Sequence, residues 1–324
     1  MIVLGFALSF FLSSAQAPTG AVPRDRKCGL GAAFHAGRRA VLRARLAEGL
    51  VLVRGLPPTR DYSTFRQDKT FWYLTGVESP NAALLIDAKS GEEILFLPKK
   101  SKLGEMWEGE LWDTDDAWVK EITGFSDLRP SGDLPAVLKE KTASEKIVWT
   151  CSDPHIELAG CIDRARPYDE RVKRDPLDGR TNREQALADH LRKDFGAEVK
   201  DMKKVLDEMR RVKTTEEIDA IRRASQAGSV AMMEAIRSTR PGIGEWEIDA
   251  LMTFVHRREG ADGPAYHAIV GSGPNALALH YSASSRVMNA GEMLLIDYAP
   301  ELDHYTSDIT RSWPKLRWPA SRAR

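Results

Sequence analysis

The sequence has 324 residues, 42% hydrophobic and 29% charged, with Lys+Arg and Asp+Glu both at 47 and so no formal net charge. That length suits about two domains of roughly 100–200 residues each, and the composition excludes collagen, low-complexity and wholly disordered chains. Charge balance removes the electrostatic case for a nucleic-acid or anionic-membrane partner, no apolar run reaches the roughly 18–20 residues of a membrane span, and three cysteines are too few for a disulfide scaffold.

Residues 2–12 form an apolar block, followed by Ser13-Ser14 and Ala15-Gln16-Ala17, the small-residue pattern of a signal-peptide cleavage site. With residues 1–17 as a signal peptide the chain is exported to the periplasm or the extracellular space. No basic residue precedes Arg24, so an N-terminal helix and a cytoplasmic chain stand as the alternative. In an exported chain Cys151 and Cys161 could pair. His155 between them fits no common zinc spacing.

Phe34 to Leu50 carries apolar residues at helical spacing, and Val51–Val53 reads as a buried strand ended by Gly55 and Pro57-Pro58. Ala83–Asp87 and Glu92–Leu97 read as a hairpin about Lys89-Ser90-Gly91, and Ile147–Trp149 as a further strand. Strands alternating with helices predict an α/β first domain. Residues 164–184 are dense in charge and read as a solvated loop; Arg183 to Leu206 is helical in composition.

Thr214 to Ser238 predicts a long helix opened by a capping box, Thr214 with Glu217. Ile218, Ile221, Ser225, Gly228, Met232, Ala235 and Ile236 form its expected core stripe. Pro241-Gly242 stops it. Glu245 to Glu259 predicts a second amphipathic helix, with Ile248, Leu251, Phe254 and Val255 inward, and Met232 and Met233 read as core or near-core. Ala268–Val270 and Met293–Ile296 read as strands, the latter running straight into Asp297.

Asp297 ends four apolar residues and is therefore expected in a buried strand, where a charge needs a partner or a metal. Thr306 to Thr310 reads as a returning strand. A hairpin with a two-residue loop at Leu302-Asp303 would set Asp297 opposite Asp308, with Cβ atoms about 4.5–5.5 Å apart. Like charges there call for a cation between them, and an all-oxygen start to a ligand set favours Mn²⁺ or Mg²⁺. The alternative is one Asp capping a turn while the other pairs with a base such as Arg311. His280 alone means little, and His304, in the expected turn, is expected to be solvated.

Leu294-Leu295-Ile296-Asp297-Tyr298, Tyr305 to Pro314, Val270 to Ala276 with His280-Tyr281, Arg211-Val212-Lys213 with Glu216-Glu217-Ile218, and Pro241-Gly242 with Glu245 together resemble the aminopeptidase P (Xaa-Pro aminopeptidase) family of pita-bread metallopeptidases with a creatinase-like N-terminal domain. Arg66-Gln67-Asp68 with Thr70 to Gly76, and Met106-Trp107-Glu108-Gly109, resemble the family's N-terminal signatures. The resemblance implies an α/β creatinase-like domain at 31–206, the first half of an α+β pita-bread catalytic domain at 207–314, and an atypical tail at 315–324.

It also implies two divalent metal ions, Mn²⁺ in this branch, with Asp297 a bidentate ligand of one and Asp308 bridging both. His280 matches the family histidine that hydrogen-bonds the substrate near the scissile bond. The implied reaction is attack by a metal-bridging hydroxide, releasing the N-terminal residue from a peptide with proline second. The implied ligand set is two Asp, one His and two Glu. Only the two Asp are found in the sequence, since Lys315 to Arg324 holds neither His nor Glu. The expectation is therefore an inactive fragment of a metalloaminopeptidase whose partner is a proline-containing peptide. An Xaa-Pro dipeptidase (prolidase) is the alternative within the enzymes. A non-catalytic module that self-associates as a homo-oligomer through its first domain is the alternative outside them.

Overall fold

The structure, a computed structural model, describes residues 26–60, 62–156 and 160–314. The signal-peptide expectation at 1–17 and the tail at 315–324 lie outside the described residues. Among those described, no helix is long and apolar enough to cross a membrane.

In the N-terminal domain, α1 (Ala32–Leu46) leads into β1 (Leu50–Arg54). The next helix, α2 (Lys69–Thr75), starts where the Asp68 side chain accepts from the amides of Thr70 and Phe71, and stops at Gly76 with φ 71°. β2 (Ala83–Asp87) and β3 (Glu93–Leu97) make the expected hairpin, and α3 (Lys102–Glu108), α4 (Ala117–Thr123), β4 (Asp127–Pro130), α5 (Leu134–Ser144) and β5 (Ile147–Thr150) follow. The remainder is α6 (Ile162–Arg174), α7 (Arg183–Phe195), β6 (Glu198–Asp201) and α8 (Lys203–Arg211).

The six strands form one mixed sheet in the order β4-β3-β2-β1-β5-β6. Val51 and Val53 enter the core under α1, α2 and α8, while Leu50 and Leu52 enter a second core with Val137, Leu138, Leu187 and Leu191 of α5 and α7. Burial on both faces is why β1 reads as a continuous apolar run rather than an alternating one.

The structure departs from the sequence expectation at three places in this domain. Residues 164–184 are not all loop, because 162–174 form α6, none of whose residues is buried. Its Arg, Glu and Lys residues are good helix formers, so the charge marked solvent exposure rather than irregular backbone. Arg183 to Leu206 is not one helix either: Gly196, at φ 62°, ends α7 and a four-residue strand intervenes. No disulfide joins Cys151, which is half-buried, to the exposed Cys161.

The second domain opens with α9 (Thr215–Ser238) and α10 (Glu245–Arg258). The capping box is present: the Glu217 amide donates to Thr214 Oγ1 and the Thr214 amide donates to Glu217 Oε2. The core stripe is rotated from the expected one, which shares with it only Gly228, Met232 and Ala235. Ala220, Ala224, Ala227, Ala231 and Ala235 are buried, whereas Ile218 and Ile236 are 46% and 45% exposed. Small side chains bring the helix against the chain behind it; a Cβ at Gly228 would meet Ile309 Cδ1 at 2.8 Å. Likewise Met252 and His256 are buried on α10 while Phe254 is exposed, and Met233 is exposed beside a buried Met232.

The strands are β7 (Gly263–Pro264), β8 (Ile269–Ser272), β9 (Met293–Asp297), β10 (Pro300–Leu302), β11 (Tyr305–Thr306) and β12 (Thr310–Pro314). They make two antiparallel sheets, β12-β9-β8 and β11-β10-β7. Leu294 and Ile296 point into the core under α9 and α10, so β9 turns Leu295 and Asp297 to its half-open face.

The hairpin turn is Asp303-His304, both at positive φ (52° and 61°), the two-residue geometry that matches strand twist. Leu302, expected in the loop, is a buried strand residue. His304, expected in solvent, stacks on Trp72 of the N-terminal domain with ring centroids 4.4 Å apart, and its side chain is 3% exposed. The turn is one point at which the domains lock. Arg66 donates to Glu78 at 2.8 Å and to Glu301 at 3.0 Å, and Asp303 is held by Lys27 and Arg223 at 2.6 and 2.8 Å. Burial would raise the Asp303 carboxyl, but those two cations hold it below its ordinary value.

Candidate active site

Moving the turn by one residue moves the whole ladder by two. Asp297 pairs with Thr310 across β9 and β12, not with Asp308. The parity of the hairpin is preserved, so Asp308 still lies on the Asp297 face, one step along the diagonal, where neighbours are about 7–8 Å apart. Asp308 sits in the break between β11 and β12 and is exposed; Asp297 is half-buried, not buried as expected. Its strand is buried on one face only, and Asp297 lies on the other.

The Tyr266 hydroxyl stands between the two carboxylates. It donates to Asp297 Oδ1 at 2.5 Å and lies 3.3 Å from Asp308 Oδ1. A phenol has one proton, so one donor serves two anions. Burial, the hydrogen bond to Asp297 and the two negative charges all push the Tyr266 phenol well above its ordinary value. It stays a neutral donor. Sequence reasoning passed over Tyr266, which precedes the β8 apolar run. The only available signal was an aromatic hydroxyl just after Gly263-Pro264.

In the sequence Glu245 stands out only as the start of an amphipathic helix and as part of the resemblance. The structure makes it the centre of a second polar cluster. It is fully buried at the first turn of α10. Its Oε1 accepts from the Ser272 amide at 2.6 Å and the Ser272 hydroxyl at 2.7 Å; its Oε2 accepts from the Tyr281 hydroxyl at 2.8 Å and the Arg286 amide at 3.0 Å. Asn275 Nδ2 adds contacts at 3.3 and 3.4 Å. Burial would raise this carboxyl; the hydrogen bonds outweigh it and leave it below its ordinary value. Glu245 therefore clamps both ends of the segment 272–286.

His280 projects from that clamped segment. Its ring is exposed, 6.4 Å from the His267 ring, and its Nδ1 is 2.9 Å from Arg164 Nη2 of α6. The fold thus brings Asp297 and Asp308 to one hydroxyl and sets His280 on a pinned loop. Among the described residues no group of three His, Cys, Asp or Glu side chains is placed to hold a metal ion. The carboxylate pair suits a hard divalent cation in kind, the single shared proton leaves it acceptor-rich, and the two side chains supply part of the oxygen set such an ion takes.

The sequence patterns of two families match the chain. Residues 35–149 match the aminopeptidase P N-terminal domain and residues 219–323 match metallopeptidase family M24. The Xaa-Pro aminopeptidase of Haemophilus influenzae is 32% identical over 256 residues, covering 77% of this chain and 52% of that protein. Xaa-Pro aminopeptidase 3 of Rattus norvegicus is 28% identical over 257 residues, 78% of this chain and 46% of that one. The solved structure of proline aminopeptidase P II from Yersinia pestis superposes with a TM-score of 0.71 at 26% identity, over 88% of this chain and 63% of that one. The chain spans about half the length of the curated relatives it matches. On these grounds it belongs to the aminopeptidase P family of pita-bread metallopeptidases, with the family's N-terminal domain followed by part of its metallopeptidase domain.

Proposed function

We propose that this chain serves an Xaa-Pro aminopeptidase, an enzyme that releases the N-terminal residue of a peptide whose second residue is proline. One observation carries the reading: in a chain whose relatives bear that name, Asp297 and Asp308 meet at the Tyr266 hydroxyl, which can donate to only one of them. The relatives' names favour this over a dipeptidase.

Asp297 and Asp308 are the proposed ligands of a pair of divalent ions, Mn²⁺ being the proposed metal. When bound, such ions polarise a carbonyl and make water nucleophilic at neutral pH. The side chains have separate tasks. Asp297 and Asp308 bind and are held on one face by their hairpin, Tyr266 orients Asp297, and His280 hydrogen-bonds the peptide beside the scissile bond. Because the described residues bring no third ligand to the pair, the 324-residue chain by itself is proposed not to turn over. Export rests on residues 1–17 and is proposed on their sequence alone.

Calorimetric titration of the chain with Mn²⁺, beside an Xaa-Pro peptide hydrolysis assay, tests both statements. Mn²⁺ binding that disappears in Asp308→Ala supports the site. No binding even at millimolar Mn²⁺ overturns it and leaves the interaction module. Hydrolysis abolished by Asp308→Ala would overturn the proposed inactivity of the isolated chain.

A further inference from the structure

We propose that Arg164, from the N-terminal domain, is a positioning residue for His280 in the second domain. It fixes the imidazole as the neutral tautomer that carries its proton on Nε2. The proposal deepens the reading of His280 given above and rests on it for the purpose of the histidine.

Arg164 Nη2 and His280 Nδ1 are 2.9 Å apart, across 116 residues of sequence. A guanidinium is always protonated and has no acceptor, so in this contact it donates. The ring nitrogen it meets must therefore offer its lone pair. With Nδ1 committed as an acceptor, the proton of a neutral imidazole lies on Nε2, and the other edge of the ring becomes a hydrogen-bond donor. A donor is what an acceptor such as a peptide carbonyl requires.

The contact is held from both sides. On the histidine side, the neighbouring Tyr281 hydroxyl is bound to Glu245 at 2.8 Å, so the backbone that carries His280 is tied to α10. On the arginine side, Arg166, two residues on in α6, forks onto Asp153 Oδ1 and Oδ2 at 2.6 and 2.8 Å. That pair ties α6 to its own domain. No α6 residue is buried, so side-chain packing does not hold the helix in place beside His280, and the Arg164 contact is the link between them. His267, the other ring beside His280, meets it edge-on at 6.4 Å, beyond hydrogen-bond reach.

The experiment is two-bond ¹H–¹⁵N correlation spectroscopy on the full chain labelled with ¹⁵N-histidine, with His280 assigned by the signals lost in His280→Gln. The native chain is expected to show a protonated Nε2 and an unprotonated Nδ1. In Arg164→Ala the two ¹⁵N shifts should move towards each other as the Nδ1–H form appears. Arg164→Lys, which can still donate to Nδ1, should restore most of the native pattern. Since α6 buries nothing, neither variant opens a cavity. Signals of His280 that coincide in the native chain and Arg164→Ala would overturn the proposal, as would a native chain with its proton on Nδ1. The readout needs no metal and no turnover. A chain that fails the Mn²⁺ test yet shows the tautomer shift loses the peptidase reading and keeps this one.

Discussion

Glu245 and the Asp297–Asp308 pair are carboxylates of the same domain, and the fold treats them oppositely. Glu245 is fully buried, and four donors from one loop lie within 3.0 Å of its two oxygens. The Asp pair is half-buried and exposed, and shares one phenol proton. A carboxylate whose lone pairs the chain itself fills is a fixture, since any ligand would have to displace those bonds. A pair with more acceptors than donors is left for something that arrives from outside. The difference lies in donor supply, not in residue type or charge.

The largest expected effect follows from the filled site. Glu245→Ala leaves the buried Ser272 amide and hydroxyl and the part-buried Tyr281 hydroxyl and Arg286 amide without this acceptor, a cost on the order of 2–6 kcal/mol from the two buried donors at about 1–3 kcal/mol each, with a smaller addition from the other two. Urea unfolding gives the total, and hydrogen exchange at the Ser272 and Arg286 amides shows whether the loss is local. A cost below about 1 kcal/mol would mean that water replaces the carboxylate, and the distinction between the two sites would collapse.

Buried histidines extend the same logic to a pH window. His35 is fully buried; its Nδ1 bonds the Tyr73 carbonyl at 3.0 Å and its Nε2 accepts from the Leu30 amide at 3.1 Å. Burial lowers it to about 4, against the pull of the Tyr73 carbonyl and helped by Arg39. His256, buried beside Tyr298, is likewise lowered to about 4 by burial. A histidine kept neutral in the fold is protonated first in the unfolded chain. Stability is therefore full above about pH 6.5 and is lost as the pH falls towards 4. For His35 the loss is on the order of 3 kcal/mol when complete. Between about pH 6.5 and 5 the slope of unfolding free energy should approach about two protons, and His35→Gln should remove about half of it. A flat profile over that window would show that both rings protonate within the fold.

How much of this was legible depended on whether the signal was local. The capping box at Thr214 and Glu217 and the hairpin of β2 and β3 were readable because each is specified by residues a few positions apart. The core face of α9 was not. Its alanines carry little hydropathy, and only the close approach of Ile309 and Pro300 to Gly228 shows why small residues are needed there. The second hairpin was half legible. Alternation placed Asp297 and Asp308 on one face, but the turn falls at Asp303-His304 because His304 finds Trp72 and Glu78 in the other domain. Tyr266, Glu245 and Arg164 owe their roles to partners 27 or more positions away, as the Tyr266–Asp297 bond (31 apart), the Glu245–Ser272 bond (27 apart) and the Arg164–His280 contact (116 apart) show.

The smallest expected effect bears most directly on the open pair. Tyr266→Phe removes the one donor between the carboxylates and should cost about 1 kcal/mol, the worth of one hydrogen bond to a charged acceptor less what water restores. Asp308→Asn should be close to neutral or stabilising by a few tenths of a kcal/mol, roughly the relief of a like-charge contact. The double variant is the informative one. The side-chain amide that Asp308→Asn introduces can donate to Asp297 in place of the lost phenol, so the two changes should couple by about 0.5–1 kcal/mol in a double-mutant cycle. Strict additivity would mean that Tyr266 serves Asp297 alone and that Asp308 lies outside the cluster. Added Mn²⁺ then separates repulsion from ligation. A cation held by both carboxylates raises the unfolding midpoint of the native chain in proportion to the logarithm of its concentration and does nothing for Asp308→Asn. Equal stabilisation of the two would place the ion elsewhere.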